Sequence, residues 1–339
     1  MNPKERLFKV LSGEKVDRPP CICPGGMMNM IIEDVMDIEN VCWPEAHTNP
    51  QMMAELTQGM YKNKAFENFG VPFCMTVEAE GMGATVYMGT KNTEPRVTKY
   101  PIEYSEEYKK LKNIDVNEGR AKVVLDAIKI LKEKNEDVPI IANLTGPVSL
   151  ASSLLEPMIF FKEIRKKPQR VHEFMDFVTD NLIVFGKAQL EAGADILTIS
   201  DPSGTGEILG AKNFNEFAVP YLNKIVDELK KYANGGTIIH ICGRLKSIYK
   251  ELNSLHSDAI SFDSITSVRQ VIDNVSNKAI MGNVSTFALE NSDVGSLQTM
   301  CNSCLNSGVD ILSPACGIGV RTKLDNIKVL LECTKNYSR

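Results

Sequence analysis

Short β-rich runs alternate with longer amphipathic runs along nearly the whole chain, and this alternation limits the possible folds more than any other feature. Alternating strands and helices predict a parallel sheet with right-handed crossovers. Eight such units predict a closed (β/α)8 TIM barrel, with an open doubly wound sheet as the structural alternative. The predicted strands are Pro20–Cys23, Pro72–Val77, Pro139–Asn143, Asp195–Ser200, Thr237–Ile241, Ala259–Phe262, Ala279–Gly282 and Asp310–Ser313.

The stretches between these strands have the apolar spacing of amphipathic helices. "EAGAD" and "NSGVD" each place a glycine just past a helix end and before a strand, as a helix C-terminus requires. A further helix opens the chain, and Glu78–Val116 is interpreted as an insertion after the second strand, over the barrel mouth, with a small hairpin around "ATVYMG". The clearest helices are Asn49–Asn68, Asn117–Asn135, Gln169–Ala192, Asn213–Ala233, Ser267–Asn274, Val294–Asn306 and Thr322–Asn336.

Length and charge exclude several classes of protein. The 339 residues fit one barrel domain over 1–339, because α/β barrels often use more than about 250 residues. A net charge of −5 with scattered Lys and Arg argues against nucleic-acid binding. No apolar run reaches the roughly 18 residues of a membrane helix. Nine cysteines without a signal peptide predict reduced thiols and a cytoplasmic protein.

Polar side chains recur where the predicted strands end, which is where barrel enzymes place their chemistry. A buried strand has no structural need for so many polar ends, although any one of them, such as Asp201 in "SDPSG", also suits a turn. In strand order the residues are Glu78 and Glu80, Asn143, Asp201, His240 and Cys242, Asp263, Asn283, and Cys316.

The pair His240-Ile241-Cys242 is the sharpest local feature. Residues i and i+2 of a strand point to the same side, so both side chains can lie at the barrel mouth. Cys316, at the end of another strand, supplies a possible third ligand. One histidine and two cysteines suit Zn²⁺, whose catalytic sites use three protein ligands and keep one position open. Taken alone, an H-x-C pair also fits a buried histidine beside a thiol.

Other cysteines compete for a ligand role. Cys301 and Cys304 form a C-x-x-C pair, but they lie in the apolar-periodic run "LQTMCNSCL", which predicts a helix face packed on the barrel. Cys21 and Cys23 alternate on the first predicted strand and are second-choice ligands.

The chain resembles the uroporphyrinogen decarboxylase superfamily in "NPKERLFKVLSGEKVDRPP", "LTGPVSL", "GADILTISDPSG", "HICG" and "SPACG". More narrowly, it resembles the methylcobamide:coenzyme M methyltransferase branch, whose zinc site has an H-x-C pair and a later cysteine. The resemblance implies the barrel fold, zinc, a small thiol acceptor and a methylated corrinoid donor carried by a separate corrinoid protein. It assigns the zinc ligands to His240, Cys242 and Cys316. It also suggests that Asp263 fills the open metal position before the thiol arrives.

The remaining site residues follow from position. Asp201 is predicted, with Asp263, to be a catalytic carboxylate, and Glu80, Asn143 and Asn283 are predicted to orient substrate. No D-x-H-x-x-G corrinoid pattern occurs in this chain, so the corrinoid must arrive on a partner or free. A sulfonate on the acceptor would favour a nearby cation, for which Arg244 and Arg321 are the candidates; both also suit solvated surface.

Three alternative functions remain open. The acceptor of the methyl group can instead be tetrahydrofolate, homocysteine or another thiol. A non-catalytic docking module for a corrinoid protein is a second alternative. A porphyrinogen decarboxylase is the third, and it is disfavoured because "CICPGGMMNM" lacks the arginines with which true decarboxylases bind the carboxylates of their substrate.

Overall fold

A curled parallel sheet of seven strands lies at the centre of the protein, whose computed structural model describes residues 1–133 and 137–337. Its strands follow the order β1-β4-β5-β6-β7-β8-β9, so each pairs in parallel with the next strand of the same sheet. A separate antiparallel pair is formed by β2 and β3. The strands are β1 (Phe69–Val71), β2 (Thr85–Tyr87), β3 (Arg96–Lys99), β4 (Ile140–Thr145), β5 (Ile196–Ser200), β6 (Thr237–Ile241), β7 (Ala259–Phe262), β8 (Ala279–Val284) and β9 (Ile311–Pro314).

Helices connect the strands of the central sheet, and short 3-10 turns lie at Glu45–His47 and Ser105–Lys110. No helix among the described residues has the length and apolar character that a membrane crossing requires. The helices are α1 (Pro3–Leu11), α2 (Glu33–Glu39), α3 (Pro50–Lys62), α4 (Val77–Gly81), α5 (Gly119–Glu133), α6 (Pro147–Leu154), α7 (Pro157–Lys166), α8 (Pro168–Glu191), α9 (Gly206–Phe217), α10 (Val219–Leu229), α11 (Tyr249–Asn253), α12 (Val268–Asn274), α13 (Thr286–Asn291), α14 (Val294–Ser307) and α15 (Leu324–Asn336).

The six later strands of the central sheet lie where the alternating pattern predicts them. Every residue of β4, β5, β6, β7 and β9 is buried, which explains why these strands are mostly apolar and show no regular alternation of apolar and polar residues. Parallel strands place their carboxyl ends at one edge of the sheet. The residues that follow β6 and β9 therefore come together at that edge.

The two predicted strands nearest the N-terminus are wrong in detail. Pro20–Cys23 forms only an isolated bridge, between Cys21 and Leu312, because Pro19 and Pro20 have no amide hydrogen for a ladder. The predicted strand Pro72–Val77 is replaced by β1, which ends at Val71 just before that proline. Val77–Gly81 is helical instead, so Glu78 and Glu80 lie on α4 and not at the end of a strand.

Three predicted helices have different limits. The first, Asn49–Asn68, is shorter as α3 and ends at Lys62. The second, Asn117–Asn135, corresponds to α5, and its predicted end at Asn135 lies outside the described residues. The third, Asn213–Ala233, divides into α9 and α10 at Ala218, two residues before Pro220. A proline within a helix removes a hydrogen bond and favours such a break.

The opening segment of the chain, which carries "ERL" and "VDR", is held by ion pairs. Arg6 binds Asp17 (2.8 Å) and Glu67 (3.2 Å), and Arg18 binds the same Glu67 at 2.5 Å. Glu67 also accepts a hydrogen bond from the Cys21 amide at 3.0 Å. These contacts attach α1 to the chain beside β1 and explain why "ERL…VDR" is a mark of the fold that does not by itself select a function.

Candidate metal centre

His240, Cys242 and Cys316 come together at the carboxyl edge of the sheet. Their ligand atoms all lie within 4.8 Å of one another, and among the described residues no other group of His, Cys, Asp or Glu meets that condition. His240 Nε2 is 3.0 Å from Cys242 Sγ, and Cys242 Sγ is 3.8 Å from Cys316 Sγ. The three residues are therefore placed as one donor set, although 74 positions separate the two cysteines in sequence.

Two glycines allow the backbone to fit around this donor set. Gly243 has φ +75°, and a Cβ there would lie 2.5 Å from Glu207 Oε2. A Cβ on Gly317 would lie 2.5 Å from the Met27 carbonyl oxygen. A larger residue at position 317 would thus displace the loop that carries Cys316, whereas at position 243 the strain would come from the positive φ, because the Glu207 side chain can move away.

The ring of His240 is fixed by its neighbour on the next strand. The register of β6 and β7 pairs His240 with Ser261, and His240 Nδ1 lies 3.0 Å from Ser261 Oγ. Nε2 faces the two sulfurs, so the tautomer that leaves Nε2 free to bind a metal has Nδ1–H donating to Ser261. A partner that fixes both the tautomer and the ring orientation is typical of metal-bound histidine.

Ser261→Ala is expected to lower metal affinity by about 10- to 100-fold, because the imidazole loses the contact that orients it. The measurement is metal occupancy during titration with a chelator. Ser257→Ala is the matched control, since the Ser257 hydroxyl is buried on the same stretch of chain but donates to the Ala259 carbonyl. Equal metal affinity of the Ser261→Ala and wild-type proteins would contradict this role.

The thiols of Cys242 and Cys316 are close enough to share a hydrogen bond, 3.8 Å between their sulfurs. The hydrogen bond between Cys242 and Cys316 lowers the pKa of Cys316 and raises that of Cys242. Cys23 behaves differently. Burial raises its pKa, and its Sγ lies 3.1 Å from the carbonyl oxygen of Met28, so this second-choice ligand stands outside the donor set.

The donor set fits zinc in its chemistry and in the separation of its two sulfurs. Two sulfurs bound to one tetrahedral zinc at about 2.3 Å each would be about 3.8 Å apart, which equals the observed separation of Cys242 and Cys316. The distance from His240 Nε2 to Cys242 Sγ, 3.0 Å, would have to widen to about 3.6 Å on binding. Two thiolates and a neutral imidazole would also balance the charge of the ion.

Asp263 is in contact with the loop that carries Cys242. Its Oδ2 accepts from the Gly243 amide at 3.4 Å and its Oδ1 from the Ile265 amide at 3.1 Å. Its negative charge is among the causes that raise the pKa of Cys242. Its carboxylate is only partly buried, so the structure brings Asp263 to the triad without fixing it as a ligand.

Asp201 is fully buried and has four hydrogen-bond donors around it. Oδ1 accepts from the amide and hydroxyl of Ser149 (2.8 and 2.6 Å) and from the Gly204 amide (3.2 Å), while Oδ2 accepts from the Val148 amide (3.1 Å). Burial raises its pKa. Its own amide donates to the His240 carbonyl at 3.0 Å. Asp201 therefore connects the N-terminus of α6 to the strand that carries His240.

The three residues predicted to bind substrate have different surroundings. Asn283 donates to the carbonyls of Asp263 (3.0 Å) and Thr266 (2.8 Å), so it supports the loop beside the triad. Asn143 donates to the Pro24 carbonyl at 2.8 Å, and its Oδ1 is buried without a partner. Glu80 instead forms an ion pair with Arg120 at 2.5 Å and is not part of the triad.

Two residues near the triad were not predicted from the sequence. Ser261 could have been recognised as the one polar residue of the strand "AISF". Glu94 gave no signal, because it lies in the connection between β2 and β3. Partial desolvation, then the charges of Cys74 and Cys316, raise the pKa of Glu94, but Glu94 is exposed to solvent, which weakens each of these effects.

Comparison with known proteins identifies the family of this chain. The Uroporphyrinogen decarboxylase (URO-D) family description matches residues 2–337. The chain belongs to this family. This chain is 35% identical to "Methylcobamide:CoM methyltransferase MtbA" of Methanosarcina acetivorans, over 99% of this chain and 98% of the relative. It is 33% identical to "Methylcobamide:CoM methyltransferase MtaA" of Methanosarcina barkeri, over 98% of each chain.

A solved structure of a methyltransferase has the same fold as this chain. The "methyltransferase from Methanosarcina mazei" superposes with a TM-score of 0.91 at 32% identity, covering 99% of this chain and 98% of its own. The predicted family and branch are confirmed, as is the prediction that this member of the uroporphyrinogen decarboxylase family is a methyltransferase.

Proposed function

We propose that this protein is a zinc-dependent methyltransferase that moves a methyl group from a methylated corrinoid to coenzyme M. The observation that carries the proposal is the donor set of His240, Cys242 and Cys316, whose ligand atoms lie within 4.8 Å of one another. Two relatives that align over nearly the whole chain are named methylcobamide:CoM methyltransferases. A donor set that fits zinc and relatives that act on a thiol support the same chemistry.

The chain's own residues prepare the acceptor site. His240, Cys242 and Cys316 would hold the ion through three bonds and leave one position for the acceptor thiol. Zinc, when bound, lowers the pKa of a coordinated thiol so that it is held as the nucleophilic thiolate. Ser261 keeps Nε2 of His240 directed at the site. Methyl transfer would then form a carbon–sulfur bond and break the carbon–cobalt bond, with the electron pair remaining on cobalt.

The other predicted site residues have proposed roles of different kinds. Asp263 would occupy the open metal position in the resting enzyme and leave when the thiol binds, because its partly exposed carboxylate contacts the loop that carries Cys242. Asp201 would be a positioning residue that acts through the His240 backbone. Asn143, Asn283 and Glu80 would shape the substrate pocket around the donor set.

The barrel is also proposed to be closed by the chain around Cys21. Backbone hydrogen bonds support this on both sides: the Ile22 amide donates to Leu312 at 3.2 Å, and the Glu67 amide donates to Cys21 at 2.9 Å. Pro20–Cys23 would then serve as an eighth, irregular strand of the barrel, between β9 and β1. The helical N-terminus and the hairpin connection after β1 complete the proposed (β/α)8 arrangement.

Removal of the metal is the experiment that tests the function. Purified enzyme is stripped with a chelator, reloaded with Zn²⁺ and assayed with methylcobalamin against coenzyme M, homocysteine, other thiols and tetrahydrofolate. We expect activity with coenzyme M, its loss by at least about 100-fold on stripping, and its return with Zn²⁺. Full activity of the stripped enzyme would contradict zinc dependence, and preference for another acceptor would replace coenzyme M in the proposal.

A further inference from the structure

The sulfur of Met28 lies beside the hydroxyl that holds the histidine of the donor set. Met28 Sδ is 3.6 Å from Ser261 Oγ, and Ser261 Oγ is 3.0 Å from His240 Nδ1. All three residues are completely buried. Among the described residues, these two contacts are the hydrogen bonds of the Ser261 hydroxyl. The three side chains therefore form one row that runs from the thioether through the hydroxyl to the imidazole.

The chemistry of these three groups determines the direction of both hydrogen bonds. A thioether has no proton and can only accept, whereas a hydroxyl has a single proton to donate. When Ser261 donates that proton to Met28, its oxygen is left to accept from Nδ1–H of His240. The other ring nitrogen, Nε2, then carries no proton and is free to bind a metal. If Ser261 donated to Nδ1 instead, the ring proton would stand on Nε2, 3.0 Å from Cys242 Sγ, and would have to leave before a metal could bind.

The loop around Met28 holds the sulfur in this position. The carbonyl oxygen of Met28 accepts from the Gly25 amide and from the Cys23 thiol, both at 3.1 Å. The next residue, Asn29, is fully buried, and its carbonyl oxygen accepts from the Ile318 amide at 2.8 Å. Because the chain is attached on both sides of Met28, the thioether is already in place before a metal binds.

We infer that Met28 is a positioning residue of the metal centre: its sulfur accepts the Ser261 proton and so keeps His240 in the tautomer that binds the ion through Nε2. This inference rests on the proposed function, since it concerns the zinc which that function requires. It extends the support of His240 by one residue beyond Ser261 and gives the run "GGMMNM" a use at the site. A methionine suits this place because it offers the hydroxyl an acceptor and no competing proton.

The test begins with Met28→Leu, which removes the acceptor and keeps the size of the side chain, a replacement that buried sites tolerate well. In the metal-bound protein His240 must keep its proton on Nδ1, so the Ser261 proton would be buried without an acceptor. We expect this loss to lower the affinity for Zn²⁺ by about 5- to 30-fold. The measurement is competition for Zn²⁺ with a chromogenic chelator, and urea unfolding of the metal-free protein shows that the variant is folded.

Met30→Leu is the matched control, because it is the same substitution two residues further along the same loop. Met30 is also fully buried, and its Sδ lies 3.7 Å from the Thr57 hydroxyl, which donates to it. Thr57 in turn accepts from the Gly70 amide at 2.9 Å and not from a ligand of the proposed metal. Met30→Leu should therefore leave the Zn²⁺ affinity of the protein unchanged.

Two further measurements separate a specific role of Met28 from a general effect on packing. In a Ser261→Ala background, Met28→Leu should cause no further loss of Zn²⁺ affinity, since the hydroxyl through which Met28 acts is gone. In the zinc-loaded protein, the Nδ1–H proton of His240 is identified as the NMR signal that Ser261→Ala changes most. That signal should move upfield in Met28→Leu, because a hydroxyl that donates to nothing is a weaker acceptor, and it should stay in place in Met30→Leu.

The possible results separate this inference from the proposed function. Wild-type Zn²⁺ affinity in Met28→Leu, equal losses in Met28→Leu and Met30→Leu, or losses that add to that of Ser261→Ala would each overturn the role of Met28. A wild-type protein that binds no Zn²⁺ would instead overturn the proposed function. A wild-type protein that binds Zn²⁺ with the expected dependence on Met28 but methylates no thiol would overturn the proposed function and leave the role of Met28 standing.

Discussion

Cys242→Ser and Cys316→Ser are each expected to purify with little zinc and to lose at least about 100-fold of methyl transfer to coenzyme M. Loss of a group that merely orients a ligand typically costs 10- to 100-fold, so loss of a ligand should cost more. Serine is close in size to cysteine, but its hydroxyl stays protonated and is a poor ligand for zinc. Metal content per chain and kcat/KM with methylcobalamin are the two measurements.

The control for these variants is another partly buried thiol. Cys42→Ser changes a cysteine of similar exposure to Cys242 and Cys316 that is not part of the donor set. It should keep both zinc and activity. A Cys242→Ser or Cys316→Ser protein that is folded by circular dichroism, free of zinc and fully active would remove the metal from the mechanism. Variants that keep zinc would show that the donor set has been misassigned.

The metal centre could be predicted from the sequence because its geometry depends on simple rules. His240 and Cys242 are two residues apart on a strand, and a strand directs such residues to one side. Parallel strands bring their carboxyl ends to one edge, which allows Cys316 to join them from 74 positions away. These arguments require only that strands and their direction be recognised, and they hold even though Pro20–Cys23 forms only a bridge and the predicted second strand is replaced by β1.

Details that depend on loops could not be predicted in the same way. Glu80 was assigned to a strand end, but Pro72 ends β1 one residue earlier and the following chain folds into the short helix α4. There Glu80 binds Arg120 at 2.5 Å, a contact across 40 positions. Glu94 reaches the neighbourhood of Cys316 through a hairpin whose direction no local pattern specifies. Long-range packing determines where such side chains lie, and the hydrophobic periodicity of the sequence does not predict that packing.

Asp201 shows how a correct position can still leave a role undefined. The sequence placed it at the end of a strand, where both a turn and a catalytic group are reasonable. The structure adds four donors, three of which reach the same oxygen. No spacing rule could have supplied these, because Val148 and Ser149 start α6, a helix that follows a different strand.

Asp201→Ala is expected to lower the free energy of unfolding by about 3–5 kcal/mol, since it leaves the amides of Val148, Ser149 and Gly204 buried without acceptors and each such group costs about 1–3 kcal/mol. Asp201→Asn should cost only about 1–2 kcal/mol, because its amide oxygen can replace Oδ1 and keep three of the four donors, while its amide nitrogen loses Val148. Urea unfolding curves for the two variants and wild type provide the measurement.

An exposed aspartate that also caps a helix supplies the comparison for this ranking. Asp293 accepts from the amide of Ser296 at 3.0 Å and from its hydroxyl at 2.7 Å at the start of α14, so Asp293→Ala should cost about 1 kcal/mol, the usual value for an N-cap. Water can replace the lost acceptor there, and it cannot reach the α6 amides. Equal losses for Asp201→Ala and Asp293→Ala would mean that the buried acceptors contribute no more than a surface cap. An Asp201→Asn protein of near-normal stability that nevertheless loses its zinc would instead show that the carboxylate positions His240 through its charge.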